Sequence, residues 1–411
     1  MKNIVNKSRL GLLLLLVFPG LVTCARGQAF TALGSFNFTN GGYPISSLTE
    51  GSDGNFYGVS PNGGSLDCYP LGCGALFKVT PEGKIILLYN FPYSGGDPNG
   101  SNPIGSLVLA NNGVFYGTTT AGGSFTDCSI YLGCGAIFEF SDNSGIQTIH
   151  DFDGGSEGSL ISDGLIQATD GDLYGTARVG GSEGFGTVFK ATLRGEVTTL
   201  HSFKRSDGSD PMGALVQGRD GEFYGTTLSG GKNFAGTVFK ITTEGSLTTL
   251  YDFCAETNCA DGSSPTGGLV LATNGNFYGT TRGTGYLPGT VFEITPAGVL
   301  TTLYTFCSLK GCGDGSHPKD GLVQAIDGNL YGTTFDGGTQ NYGTIFKVTP
   351  AGTLTTIHRF NLVYGANPYG GLIQASDGNL YGLTFFGGSP GPGVVYRLNI
   401  ASNKIAPKSQ E

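Results

Sequence analysis

The stretch "SDGNFYG" at residues 52–58 decides the fold, because close copies of it recur to the end of the chain. The Tyr-Gly pair inside it returns at intervals of 50 to 59 residues, at Tyr57, Tyr116, Tyr174, Tyr224, Tyr278, Tyr331 and Tyr381. A repeat period near fifty residues is typical of β-propellers and solenoids. Seven equivalent copies would imply seven equivalent active sites, so the motif is interpreted as scaffold.

Each copy predicts four β-strands. The fourth copy, residues 213–253, contains the strand-like runs "ALVQG", "EFYGTT", "GTVFKIT" and "SLTTLYDF". The first three are apolar or β-branched on both faces, as expected for sheets that are covered on both sides. An Asp-Gly or Asn-Gly pair precedes every Tyr-Gly, and this pair predicts a type I′ hairpin with positive φ at both of its residues.

The two ends of the chain distinguish a closed ring from an open solenoid. The seventh copy stops after "GVVYRLNI" at residues 393–400, and it lacks the fourth strand. That strand is found instead at the other end of the chain, as "FTALGSF" at Phe30–Phe36. Ring closure removes exposed strand edges, which favours this arrangement. We therefore predict an all-β, seven-bladed β-propeller of four-stranded blades over residues 30–400, closed by the N-terminal strand.

The N-terminus predicts export. In residues 1–29, three basic residues precede the apolar run "GLLLLLVFPGLV", as in a signal peptide, and cleavage after Ala25 or Ala29 fits the small residues that follow. The run is too short to span a bilayer, so the mature chain is predicted to be secreted or at the cell surface, without a transmembrane segment. "LVTC", ending at Cys24, loosely resembles a lipoprotein box, which leaves a lipid anchor as an alternative. Residues 401–411 form a polar tail.

The charge balance bears on partners. Loss of residues 1–29 removes four of the 22 basic residues and none of the 31 acidic ones, which leaves a net charge of −13. A surface this acidic repels phosphate backbones and anionic lipid headgroups, so nucleic acid is excluded as a partner. Polyanionic sugars are disfavoured by the same reasoning, unless a local basic pocket overrides it.

Apart from Cys24, the cysteines form four local pairs. An even number of cysteines in an exported chain predicts disulfides, and a zinc site is disfavoured because most pairs have no nearby histidine. The pairs fall in loops of one rim of the predicted propeller, where functional loops concentrate. They are Cys68 with Cys73, Cys128 with Cys134, Cys254 with Cys259, and Cys307 with Cys312.

Motifs for catalysis are weak. "GGSEG" at Gly154–Gly158 and at Gly180–Gly184 matches the Gly-x-Ser-x-Gly nucleophile pattern, but that pattern needs a strand-to-helix turn and both matches fall in glycine-rich loops. The sequence contains no phosphate-binding loop, His-Glu-x-x-His motif or EF-hand, and neither cofactor nor bound metal is predicted. His150, His201 and His358 replace a tyrosine of the other copies on the outer strand, which indicates a packing role.

Candidate ligand-binding residues come from comparing the copies just before the first strand. Six copies read Gly-small-x-Pro, so the backbone is constant while the residue x varies; the third copy carries Leu160 there. Neutral drift at an exposed turn would give the same pattern. A constant scaffold that presents varied polar groups around the channel mouth would instead form a binding pocket. The candidates are Tyr43, Asn102, Asp210, Ser264, His317 and Asn367, with Tyr369 and Lys319 beside them.

The pattern "DGNLYGTT…GG…GT(V/I)FK(I/V)TP.G.LTTL…F" resembles the GloVer tandem repeat of bacterial choice-of-anchor proteins. The resemblance covers essentially the whole mature chain. It implies an exported, often surface-anchored bacterial protein, and it implies no catalytic residues. The chain ends in "APKSQE" without an apolar tail, so an anchor in this chain would have to be Cys24.

Two hypotheses about function follow. The first is a monomeric, non-catalytic module that binds a carbohydrate or a cell-surface protein, with a neutral glycan at the residues named above. The second is an extracellular lyase or hydrolase that acts on polysaccharide, since a propeller fold does not decide function. A paired acid and base facing one cavity would favour the enzyme. No such pair is evident in the sequence, so binding is the prediction.

Overall fold

The structure is a computed structural model that describes residues 29–64, 72–92, 100–125, 128, 133–161, 163–389 and 391–400. Within these ranges, seven four-stranded antiparallel sheets form the blades of a ring. The predicted seven-bladed β-propeller is confirmed. Residues 1–28 of the predicted signal peptide, which include Cys24, lie outside the described residues, as do Cys68 and the C-terminal tail.

In blades 1 to 6 the four strands of each sheet are adjacent in chain order, and in blade 7 the first strand of the chain, β1, takes the fourth place. Blades 1 to 4 comprise β2 Thr49–Glu50, β3 Phe56–Ser60, β4 Ala75–Val79, β5 Ile85–Asn90; β6 Val108–Leu109, β7 Phe115–Thr119, β8 Ala136–Ser141, β9 Gly145–Asp151; β10 Ile166–Gln167, β11 Leu173–Ala177, β12 Thr187–Ala191, β13 Val197–Ser202; and β14 Val216–Gln217, β15 Phe223–Thr227, β16 Thr237–Ile241, β17 Leu247–Asp252.

Blades 5 to 7 comprise β18 Val270–Leu271, β19 Phe277–Thr281, β20 Thr290–Ile294, β21 Leu300–Thr305; β22 Val323–Gln324, β23 Leu330–Thr334, β24 Thr344–Val348, β25 Leu354–Arg359; and β26 Ile373–Gln374, β27 Leu380–Thr384, β28 Val394–Asn399 with β1 Ala29–Ser35. Single 3-10 turns at Thr257–Cys259 and Lys310–Cys312 precede blades 5 and 6. The innermost strands are only two residues long, much shorter than the predicted "ALVQG" run.

The first strand closes the ring as predicted. β1 pairs antiparallel with β28, and Phe30 lies opposite Leu398. The ring of Phe30 also stacks on His358 of blade 6, with ring centroids 3.7 Å apart. The N-terminal strand therefore completes blade 7 and packs against the blade before it.

The predicted type I′ turn is wrong. Only the glycine of each Asx-Gly pair has positive φ, between 74° and 90° in the seven copies. In blade 1, the Gly54 N–H donates to the Gly51 carbonyl at 3.0 Å, and the Gly51 N–H donates to the Asn55 carbonyl at 2.8 Å. These two bonds define a three-residue loop that ends in a glycine bulge. Asp53 keeps an ordinary φ, and its side chain accepts a hydrogen bond from the Asn55 N–H at 3.1 Å.

The Asp or Asn of the motif forms a hydrogen bond with the buried tyrosine in every copy. This confirms that the motif is scaffold. Each of the seven tyrosines is at most 3% exposed. Its hydroxyl bonds to the Asp or Asn side chain four residues earlier at 2.7–3.0 Å, in the pairs Tyr57–Asp53, Tyr116–Asn112, Tyr174–Asp170, Tyr224–Asp220, Tyr278–Asn274, Tyr331–Asp327 and Tyr381–Asp377. Burying a tyrosine hydroxyl requires such a partner.

The charge of the residue opposite each motif tyrosine depends on whether the turn carries Asp or Asn, which we call the charge rule. The third-strand residue opposite each tyrosine is basic in the five blades whose turn carries Asp, and it is Glu in the two blades whose turn carries Asn. An Asp with a Glu would place two carboxylates around one hydroxyl, which is unfavourable. The pairs are Asp53 with Lys78, Asn112 with Glu139, Asp170 with Lys190, Asp220 with Lys240, Asn274 with Glu293, Asp327 with Lys347, and Asp377 with Arg397.

The glycine after the tyrosine gives the core its packing. A Cβ atom added at Gly58 would lie 2.8 Å from the Phe77 ring and 3.2 Å from Leu48. Phe77 is fully buried. The Tyr-Gly pair therefore places one large side chain between blades and leaves room for another within the blade.

Candidate functional site

The residues just before the first strand form clamps between neighbouring blades. All seven x positions, the non-glycine residues Tyr43, Asn102, Leu160, Asp210, Ser264, His317 and Asn367, have φ between 51° and 58°. In the case of Asp210, its N–H donates to the Phe185 carbonyl of blade 3 at 3.0 Å, and its carbonyl accepts from the Leu228 N–H of blade 4 at 3.0 Å. Left-handed φ is uncommon outside glycine, so the blade-to-blade bonds impose this conformation.

The side chains of these candidates already have protein partners in most blades. The ring of Tyr43 stacks on Phe385 with centroids 5.0 Å apart, and Ser264 is 9% exposed. The other bonds are Arg178 Nη2 to Asp210 at 3.0 Å, His317 Nδ1 to Asp336 at 3.1 Å, Asn102 Nδ2 to Thr120 Oγ1 at 2.7 Å, and Asn367 Nδ2 to the Phe335 carbonyl at 2.8 Å. Their capacity for a ligand is therefore partly used within the protein.

The cavity at the channel mouth is lined by the residues that lie two positions after x in the repeats. This mouth cavity has a volume of ≈ 100 Å³. Of the residues predicted from the sequence, Tyr369 lines this cavity, and so does Lys319 from the neighbouring blade. The lining side chains from equivalent positions are Ile45, Ile104, Met212, Thr266, Lys319 and Tyr369, joined by Arg178.

Lys319 places a positive charge on aromatic faces at the mouth. Its Nζ lies 5.2 Å from the Phe335 ring centroid and 5.5 Å from the Tyr369 ring centroid. Among the described residues, no carboxylate forms an ion pair with it. Burial, together with the charge of Arg282, lowers the pKa of Lys319 to about 8. The side chain is thus mostly an ammonium at neutral pH, although its proton is weakly held.

Below the mouth, a ring of small residues forms what we call the channel waist, a cavity of ≈ 200 Å³. One residue from each blade contributes, four positions after x: Ser47, Ser106, Gly164, Ala214, Gly268, Gly321 and Gly371. The blades approach closely here, because a Cβ atom added at Gly321 would lie 2.5 Å from the Gly268 carbonyl oxygen. Side chains larger than these would close the channel.

Two carboxylates stand between the mouth and the waist. Asp163 and Asp320 line both cavities. Asp163 accepts hydrogen bonds from the N–H groups of Gly164 at 2.7 Å and Ala214 at 2.6 Å. Asp320 accepts three, from the Gly321 N–H at 2.6 Å, the Gly371 N–H at 2.5 Å and the Ser47 hydroxyl at 3.3 Å.

The two acids interact electrostatically. Burial raises the pKa of both carboxyls, and the charge of Asp320 raises the pKa of Asp163 further, to about 7. None of the described residues that line the waist is basic. Near neutral pH the pair therefore holds one proton for part of the time, because like charges at close range disfavour double ionisation.

This pair was not predicted from the sequence, although a signal was present. Three positions after x, the seven copies carry Ser46, Gly105, Asp163, Gly213, Gly267, Asp320 and Gly370. Two acids in a column that otherwise carries only serine and glycine depart from the repeat. The comparison of copies at x alone did not extend to this column.

The predicted packing role of three histidines is confirmed. On the outer strands of blades 2 and 3, His150 contacts Glu157 at 2.9 Å and His201 contacts Asp207 at 3.1 Å. Tyr251 makes the equivalent bond in blade 4, donating to Asp261 at 2.9 Å. These side chains fasten the outer strand to the connection that follows it. His358 is different: burial lowers its pKa to about 4.

Disulfides brace the loops of the described chain. The predicted pairs Cys128–Cys134, Cys254–Cys259 and Cys307–Cys312 are confirmed. Cys73 is also disulfide-bonded. Such bonds persist in oxidising compartments, which supports an extracellular protein. Within the described part of the chain, no helix has the length and apolar character needed to cross a membrane.

The Gloeobacter/Verrucomicrobia repeat model matches this chain over residues 129–313 and 255–408. The chain belongs to the Gloeobacter/Verrucomicrobia repeat family. This confirms the resemblance noted from the repeat pattern. A search of curated proteins gave no match to this family member.

A solved structure shares the fold of this Gloeobacter/Verrucomicrobia repeat protein. The extracellular domain of a putative hybrid two-component system from B. thetaiotaomicron aligns with a TM-score of 0.54 and 12% identity, over 91% of this chain and 40% of that chain. This protein therefore spans 40% of the length of that domain. A periplasmic gluconolactonase from Pseudomonas aeruginosa aligns with a TM-score of 0.48 and 18% identity, over 83% of this chain and 90% of that chain. At such identities the likeness extends to the fold alone.

Proposed function

We propose that this protein is an exported propeller that binds carbohydrate through the mouth of its central channel. The observation that supports this most is the composition of the mouth cavity, which combines the aromatic Tyr369, the ammonium of Lys319 and the carboxylates of Asp163 and Asp320. Ligand sites place a few polar groups on an otherwise apolar concave wall. A sugar has apolar C–H faces and many hydroxyls, and it fits this mixture.

An aromatic wall on one side of the channel adds to this argument. Phe385 stacks on Tyr43 and lies 6.3 Å from Tyr369, while Phe335 packs edge-on against Tyr369 at 5.9 Å. The wall spans blades 6, 7 and 1. A sugar ring lying against Tyr369 would have hydroxyls within reach of Lys319 and Asp320.

Three further features support export and an exposed binding face. The signal-peptide pattern and the disulfides agree on the compartment. One disulfide-braced loop adjoins the site, because the Cys73 carbonyl accepts a hydrogen bond from the Asn102 N–H at 3.0 Å. Loops that are held on a rigid scaffold are common sites of recognition.

A glycan array followed by calorimetry tests the proposal. The purified protein should bind at least one glycan, and Tyr369→Ala and Lys319→Met should each weaken that binding by about tenfold or more. Tyr286→Ala is the matched control, because Tyr286 is fully exposed. This substitution removes an aromatic ring of the same size. Absence of binding across the array, or equal affinity of Tyr369→Ala and the unchanged protein, would contradict the proposal.

A further inference from the structure

Asp163 and Asp320 come from equivalent positions of blades 3 and 6. The two carboxylates line the same two cavities, the mouth cavity and the waist below it. A ligand that enters the mouth would meet both of them.

The surroundings of the two acids differ in a way that separates their roles. Asp320 accepts three hydrogen bonds and Asp163 accepts two, so the anion of Asp320 is the better stabilised. The other charged or titratable groups that line the mouth are Arg178, Lys319 and Tyr369. Of the pair, Asp163 has the pKa raised to about 7, so it can hold a proton that it can also release.

We propose that Asp163 and Asp320 hydrolyse a glycosidic bond of the carbohydrate bound at the mouth, with Asp163 as the general acid and Asp320 as the general base. This inference rests on the proposed function. Asp163 donates its proton to the departing glycosidic oxygen as the bond between that oxygen and the anomeric carbon breaks. Water attacks the anomeric carbon and gives its proton to Asp320. Proton exchange with solvent then restores both groups, and the net reaction is hydrolysis.

The position of the two acids restricts the substrate. The two acids lie between the mouth cavity and the waist, and Tyr369 of the aromatic wall lines the mouth. We therefore take the substrate class to be a glycan that enters from the mouth and is cleaved near its chain end. The aromatic wall would hold the remainder of the chain outside the mouth.

The test uses a glycan that the protein binds, incubated with the full chain at pH values from 4 to 9. Release of reducing ends and of a single terminal sugar is expected, with a rate that is highest near neutral pH and falls on both sides. Asp163→Asn and Asp320→Asn should each lower the rate by about 100-fold or more while binding is retained. Glu183→Gln removes one exposed carboxylate as a charge-matched control and should leave the rate unchanged.

Failure of the inference and failure of the proposed function give different results. If the unchanged protein binds a glycan and releases no sugar at any pH, the inference is overturned while the binding proposal stands. The same conclusion holds if Asp163→Asn and Asp320→Asn hydrolyse as fast as the unchanged protein. If no glycan binds, the proposed function fails first. Melting temperatures of the variants near that of the unchanged protein exclude misfolding as the cause of a lost rate.

Discussion

The rim that carries the Asx-Gly turns and the wall of the channel are built from the same seven repeats, but they differ in regularity. At the rim, every copy makes the same bond between the motif tyrosine and the Asp or Asn four residues earlier. In the channel, equivalent positions carry a lysine, a tyrosine, a threonine or isoleucines. The residues at the rim are those that every blade needs in order to fold. The residues in the channel vary from one repeat to the next.

The difference also separates two kinds of acid. The turn aspartates are half-exposed, and their hydrogen bonds lower the pKa of groups such as Asp170 and Asp327 despite partial burial. The channel aspartates have raised pKa values, with Asp163 at about 7. Acids of the first kind stabilise the fold at neutral pH, whereas acids of the second kind reduce stability and are typical of functional sites.

The largest expected effect comes from opening the ring. Deletion of residues 29–38 removes the pairing of β1 with β28 and uncovers Tyr396 and Phe360. We expect the melting temperature to fall by about 10 °C or more, because a full strand and its apolar contacts are lost. Phe30→Ala should cause a smaller fall, since the strand pairing remains. Scanning calorimetry of both variants measures this, and an unchanged melting temperature of the deletion variant would contradict ring closure.

A second prediction tests the charge rule of the rim. Lys190→Glu places a carboxylate beside Asp170 and the Tyr174 hydroxyl, where Lys190 now contacts Asp170 at 3.0 Å. We expect a loss of about 1–2 kcal/mol in the free energy of unfolding. The double variant Asp170→Asn with Lys190→Glu recreates the arrangement of blades 2 and 5 and should recover most of this loss.

Urea unfolding of the two single variants and the double variant forms the required cycle. Simple additivity of the two changes would show that the rule has no energetic basis.

A third prediction concerns pH. The raised pKa of Asp163 means that the folded chain binds a proton more tightly than the unfolded chain between about pH 4 and pH 7. The contribution of this group to stability is therefore complete below pH 4 and is lost as the pH rises through 7. Asp163→Asn should make the protein more stable than the unchanged chain at pH 8, and it should give no such advantage at pH 4.

Urea midpoints at the two pH values measure this difference, with Glu183→Gln as the charge-matched control. If Asp163→Asn gains no stability at pH 8, the ionised Asp163 carboxylate does not destabilise the folded protein.

The smallest effect is expected at the clamp position x. Asp210→Asn weakens the pairing with Arg178, which is partly exposed, so the free energy of unfolding should change by less than about 1 kcal/mol. The left-handed backbone bonds of Asp210 remain in this variant. A loss of several kcal/mol, measured by urea unfolding, would show that the side chain is essential to the contact between blades 3 and 4.

The fold was predictable because its causes are local and repeated. The Tyr-Gly period and the displaced strand at Phe30–Phe36 are visible in one sequence, and each reports a requirement that every blade shares. The turn type was predicted wrongly because the Asx-Gly pair is common to two hairpin loops, and the bond from Gly51 to Asn55 that distinguishes them is not encoded in those two residues.

The site was predictable only in part. Tyr369 and Lys319 were named from their place beside the variable position, and they line the mouth cavity. Which residue of a channel-lining segment faces the axis depends on the approach of neighbouring blades, as at Gly321, and this is a property of the assembled ring. The placement of Asp163 and Asp320 at the same two cavities has the same origin.

We propose that ligand recognition occurs at the channel mouth, where the repeats differ. A crystal structure of the protein with a glycan selected on the array would show where the ligand binds. We expect electron density for a sugar against Tyr369, with a hydroxyl within hydrogen-bond distance of Lys319 or Asp320. Density confined to the disulfide-braced loops around Cys128 or Cys254, with the mouth unoccupied, would contradict it.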